Sequence, residues 1–130
     1  MRDFIIIFIL IIAIFWGGLY TKKYLDDTAN QISIRLEELR NEIITAKDTG
    51  ERSKVFNKIN EVEEEWKKIS DIWAVLVIHQ EIDNIESALI KSKACIENGE
   101  LEDALQEVET ANFFVNHVKE REKVNLKNIF

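Results

Sequence analysis

Apolar residues recur at helical spacing along most of the chain. From Leu25 the series runs through Ala29, Ile32, Leu36, Leu39, Ile43 and Ala46, a 4-3-4-3-4-3 spacing that lays one stripe along a helix. Asp48-Thr49-Gly50 then supplies a stop, with Gly50 suited to the left-handed position after a helix. A second stripe, Val55, Ile59, Val62, Trp66, Ile69, Trp73 and Leu76, repeats the spacing, with Glu63–Lys67 and Glu64–Lys68 set as i,i+4 pairs on its outer face. A third, Ile78, Ile82, Ile85, Leu89, Ser92 and Ile96, starts only two residues after Leu76. One straight helix cannot hold both on one face, so a kink or short turn is predicted near Val77 to Gln80. Asn98-Gly99 is a second stop, and Leu101, Ala104, Leu105, Val108, Ala111, Val115 and Val118 form the fourth stripe. The tail from Lys119 is charged but carries Val124, Leu126, Ile129 and Phe130, which are able to dock on the other helices.

The stretch before Leu25 follows a different rule. Phe4 to Tyr20, FIIIFILIIAIFWGGLY, is seventeen residues without a charge and is apolar on every face. As a helix it spans about 26 Å, slightly under a hydrocarbon core of about 30 Å, and Lys22 and Lys23 can snorkel to close the gap. The eleven Ile, Leu and Phe side chains from Phe4 to Phe15 favour insertion, by about 4 kcal/mol at most on a scale set for the helix centre. Trp16, Tyr20 and Tyr24 gather at one end as interfacial aromatics do. The rival reading is a cleaved signal peptide, but only Gly17 and Gly18 are small, and bulky Leu19 and Tyr20 follow them. Residues 1–24 therefore read as an uncleaved anchor and residues 25–130 as a helical domain. The helix from Leu25 can continue the anchor, with Gly17-Gly18 as the flexible point between them. Lys22 and Lys23 favour a cytoplasmic domain. The very short tail before the apolar run looks like a signal anchor instead, and the expectation adopted is an extracytoplasmic domain on a single-pass cell-membrane protein.

The predicted fold class is all-α: an N-terminal transmembrane helix followed by an antiparallel helical bundle of two αα-hairpins, about four helices in all. Shifting the chain by 49 residues lays Gly50-Glu51 on Gly99-Glu100, and Val55, Ile59, Val62, Trp66 and Ile69 on Ala104, Val108, Ala111, Val115 and Val118. Two stacked hairpins, somewhat like tetratricopeptide units, would give this pattern; so would chance similarity of two amphipathic hairpins. The stripes also suit an intermolecular coiled coil, against which the two glycine stops and the phase jump after Leu76 weigh.

Composition adds limits. Proline is absent, only four glycines occur, and 32% of residues are charged, as in bundles and coiled coils. The net charge of -7 would repel phosphates, so no nucleic-acid partner is expected. Cys95 is the single cysteine, which excludes an internal disulfide, and its helical setting reads as packing.

The candidate polar chemistry is sparse. His79 and Asp83 are i,i+4 with Glu86 on the same face, and His117 and Glu120 are i,i+3. Convergence of the two pairs would offer imidazole and carboxylate donors to zinc. The plainer reading is that Asp83 accepts a hydrogen bond from His79 near the helix junction and caps exposed backbone groups. No HExxH pattern, GxSxG elbow or phosphate-cradling glycine loop occurs. Glu63-Glu64-Glu65 reads as a solvated face, and Trp66 with Trp73 as core. No nucleophile stands with a base, so no enzyme and no cofactor are expected.

The stretch Trp73 to Ile85, WAVLVIHQEIDNI, with its H-x-E-I-D-N-I centre, resembles the bacterial family of domain of unknown function 4363. The N-terminal anchor, the Trp66/Trp73 pair, the His117-Val118-x-x-Arg-Glu stretch and Asn128-Ile129 extend the resemblance over nearly the whole chain. It implies a small bacterial membrane-anchored helical protein and assigns no catalytic role. It singles out His79, Glu81, Asp83 and Asn84, which with His117 and Glu120 make the candidate binding positions; no metal set is assigned. The expected function is a protein-interaction or envelope-scaffold module, held in the bilayer through residues 4–20 and binding other proteins or itself. The alternative is a ligand- or metal-sensing domain built on the His/Asp/Glu cluster.

Overall fold

The computed structural model describes residues 1–129, with side chains through Arg121. Four helices follow in order: α1, Arg2–Thr49; α2, Ser53–Leu76; α3, His79–Glu97; and α4, Leu101–Ile129. α1 packs against α2 and α4, and α3 packs against the same two, so the hairpins close into a ring of four rather than an open stack. The helices alternate in direction. On the α1–α2 face, Arg35 meets Glu61 at 3.3 Å, Lys58 meets Glu38 at 3.4 Å, and Thr28 meets Trp73. Between α1 and α4, Ser33 bonds Asn112, Arg40 bonds Glu109 and Asn30 accepts from Lys119. Exposed ion pairs of this kind contribute little stability each, but they report register. The hydrogen bond from Lys58 to Glu61, then the one to Glu38, raises the pKa of that ammonium above its ordinary value.

The stripes become the core. Leu25, Ala29, Ile32, Leu36, Leu39, Ile43 and Ala46 of α1 are buried, as are Val55, Ile59, Val62, Trp66, Ile69 and Trp73 of α2. α3 contributes Ile82, Ile85, Leu89, Ser92 and Ile96, and α4 contributes Ala104, Val108, Ala111, Val115 and Val118. Leu76, Leu101, Leu105 and Cys95 are partly buried against this cluster. Trp66 and Trp73 meet edge to face, with ring centroids 5.5 Å apart. The apolar tail side chains Val124, Leu126, Ile129 and Phe130 lie outside the described residues.

Two expectations need correction. The third stripe does not begin at Ile78, which is exposed; Val77 is buried instead. The break does fall there, between α2 and α3, and Val77 is extended (φ -123°, ψ 152°). Successive side chains in extended backbone point to opposite sides, so one residue enters the core and the next faces out. Glu63, in turn, does not stay on the outer face with Lys67; it reaches across to Lys93 of α3 at 2.8 Å.

Gly50 and Gly99 both adopt positive φ, 78° and 79°. Each ends a helix in the left-handed conformation that side-chain-bearing residues resist, and each closes a hairpin. Gly50 N–H donates to Ala46 O, and Glu100 N–H donates back to Cys95 O, which answers carbonyls that the helix ends would leave open.

α1 is one continuous helix of 48 residues, about 72 Å long. It stays helical through Gly17-Gly18, and nothing lies within 4 Å of where their side chains would stand. From Phe4 to Tyr20 its apolar side chains are exposed all round, Phe4 at 82% and Trp16 at 67%. Burial by the chain itself starts at Leu25. This helix is long and apolar enough to cross a membrane.

Candidate functional site

The polar groups worth examining gather where α2 passes into α3. Because α1 and α2 are antiparallel, this corner lies beside the start of the bundle, next to the exposed apolar segment. Two features lock it. Trp73, fully buried, donates its indole Nε1–H to Thr28 Oγ1 at 2.8 Å, and the Thr28 hydroxyl in turn donates to Tyr24 O at 2.7 Å. A buried indole N–H needs such an acceptor, and here the acceptor is on the neighbouring helix. The second feature is Glu81.

Glu81 sits in the first turn of α3 with a side chain only 9% exposed. Its backbone N–H donates to Ile78 O. A carboxylate is electrostatically favoured at a helix N-terminus, but that does not suffice for burial, and a cation completes the arrangement. Arg121 of α4 places Nη1 2.8 Å from Glu81 Oε1, and His117 Nε2 stands 3.8 Å from the same oxygen. His117 also lies nearly parallel to the Phe113 ring, 19° inclined at 6.0 Å. Residues 113, 117 and 121 are one face of α4 at i, i+4, i+8. The result is a carboxylate on α3 held from α4 by a guanidinium, with an imidazole beside it.

The sequence-derived candidates separate accordingly. Glu81 and His117 come together. His79 and Asp83 stand exposed, and no hydrogen bond joins them, so the expected junction contact does not form. Asn84 is half-buried and its Oδ1 accepts from Gln80 at 3.0 Å. Glu120 is exposed and engaged in an interaction of its own. Among the described residues no group of three or more His, Cys, Asp or Glu side chains is arranged to hold a metal ion. Convergence of the two histidine pairs on one zinc is therefore not seen there.

Arg121 and Thr28 were missed as candidates. The His117–Arg121 spacing was available as a signal, as was the position of Glu81: with Ile85, Ala88 and Ser92 it keeps a 4-3-4 spacing on the buried face. A carboxylate inside an apolar stripe requires a cation, and that demand was readable. Which arginine would answer it depends on how α4 folds back.

The arrangement defines a class: an all-α protein whose long, apolar N-terminal helix runs on into an antiparallel four-helix bundle, with a buried carboxylate paired to a half-exposed arginine at the end nearest the apolar segment. Its match to the family described as Domain of unknown function (DUF4363) covers residues 19–129, and the chain belongs to that family. No curated protein and no solved structure matches it.

Proposed function

We propose that this chain is a single-pass membrane protein whose bundle serves as a protein-interaction or scaffold module just above the bilayer. The observation that carries this reading is α1 itself. An all-round exposed apolar helix continues without a break into the first helix of the core. In water such a surface would associate or aggregate; in a bilayer it is satisfied, because all its backbone hydrogen bonds are internal. The continuous helix also favours an uncleaved anchor over a signal peptide.

The module performs no reaction in this reading. The most buried carboxylate among the described residues, Glu81, is already paired with Arg121, and a carboxylate pinned by a guanidinium holds helices together rather than moving protons. The same pairing weakens the sensing alternative, since a ligand would have to displace Arg121. The proposed orientation has the bundle outside the cytoplasm.

A C-terminal reporter active on only one side of the membrane tests the topology. Affinity capture of the full-length protein from solubilised membranes tests the interaction role, with a reproducible partner or self-association as the expected result. Repeated capture of neither would refute it, and release of the protein by alkaline carbonate would refute the anchor.

A further inference from the structure

The chain carries a second uncharged apolar run. Residues 72–78 read Ile-Trp-Ala-Val-Leu-Val-Ile in a protein that is otherwise one-third charged. Trp73 and Val77 face the core, but Ile72 is 47% exposed, Val75 84% and Ile78 56%. A consecutive apolar run left facing out is a cost to a soluble surface unless something covers it.

Its height on the bundle indicates the cover. Trp73 is bonded to Thr28, eight residues past Tyr20, or about 12 Å along α1. Val75 is about 3 Å nearer to Tyr20, and the extended pair Val77 and Ile78 carries the chain by up to about 3.3 Å per residue. Val75 thus stands roughly 9 Å, and Ile78 as little as about 1 Å, from the end of the apolar segment, against a headgroup layer about 5–8 Å thick. Resting on the reading of α1 as a membrane anchor, we infer that the α2–α3 corner is a second membrane contact. Ile78 lies in the headgroup layer of the bilayer that α1 crosses, Val75 at its outer edge, and Ile72 above both. The contact is apolar, lies beside the anchor, and fixes the tilt of the bundle, so that the Gly50 and Gly99 turns face away from the lipid.

The test uses the full chain in phosphatidylcholine vesicles, on a Cys95→Ser background. An environment-sensitive fluorophore is attached to one new cysteine at a time: Val75→Cys, Ile78→Cys, Phe8→Cys in the anchor, or Lys54→Cys at the far end. The high exposure of Val75 leaves little packing to disturb, and Ile78→Cys is an independent second reporter. Labels at 75 and 78 are expected to be quenched by nitroxide lipids bearing the spin near the headgroup. They are also expected to be about ten-fold less accessible to a water-soluble quencher than the label at 54, the factor that immersion of one aliphatic side chain supplies. If the label at 8 is quenched deep in the bilayer while those at 75 and 78 remain as water-accessible as 54, the inference is overturned and the anchor stands. Shielding at 75 without nitroxide quenching would assign the corner to a protein partner or a second copy and overturn it too. Absence of quenching at 8 would remove the anchor and this contact with it.

Discussion

Glu81 and Arg121 form a pair whose two halves are unequally buried, and that inequality yields a directional prediction. The Glu81 side chain is 9% exposed and that of Arg121 is 47% exposed. Arg121→Ala strands a desolvated carboxylate with His117, at 3.8 Å, as its remaining neighbour of opposite potential charge among the described residues. Removing one partner of a fully buried pair costs about 3–5 kcal/mol; half of this pair is in water, so roughly 2–4 kcal/mol is expected. Glu81→Met replaces the carboxylate with an apolar group of similar length, and Arg121 then turns into solvent at a cost of about 1 kcal/mol or less. The double variant should resemble Glu81→Met alone, giving a coupling equal in size to the Arg121→Ala loss, about 2–4 kcal/mol. In urea unfolding of the detergent-solubilised full chain, followed by fluorescence of the core tryptophans, Arg121→Ala should show the largest midpoint shift of the three. Equal and additive losses from the two single variants would refute the reasoning, because Glu81 would then be hydrated like any surface carboxylate.

Other parts of the fold give further expectations. Thr28→Val keeps the shape of the side chain but removes the acceptor for Trp73 Nε1, so it should cost about 1–3 kcal/mol, and that penalty should shrink in a Trp73→Phe background, measured by the same unfolding. Gly50→Ala and Gly99→Ala should each cost about 1–2 kcal/mol for the left-handed backbone. A side chain at Gly99 would meet only the tip of Arg52, at 2.7 Å, which can swing aside, so a much larger loss at 99 would show that Arg52 is a fixed part of the turn. Burial first, then the charges of Glu100, Asp103 and Glu107, raise the pKa of the Cys95 thiol. Its alkylation should be slower than that of a free thiol at neutral pH and should still be accelerating at the pH where the free thiol levels off; a rate profile matching the free thiol would contradict this.

Local chemistry made most of the bundle readable. The 4-3 stripes specified which side chains enter the core, and the two glycines specified where hairpins close, because both depend on neighbours within a turn or two. The reading failed where the outcome depends on another helix. Spacing alone turns Ile78 inward, whereas the extended backbone at Val77 reverses the sides. Helical proximity pairs Glu63 with Lys67, but α3 folds back to bring Lys93 to it instead. The H-x-E-I-D-N-I centre pointed to the right corner. It did not separate Glu81, which is buried and paired, from His79 and Asp83, which face solvent, because that distinction is set by Arg121, forty residues away.

The unbroken course of α1 has a mechanical consequence. A helix of 48 residues without proline is a stiff shaft, and its upper half is clamped by α2 and α4. With the apolar segment anchored as proposed, its rotation or piston movement would not be absorbed at a hinge; it would reach the Gly50 turn as a displacement of the whole bundle. A partner held at that far end would be moved by events within the lipid, and a load applied there would pull on the anchor.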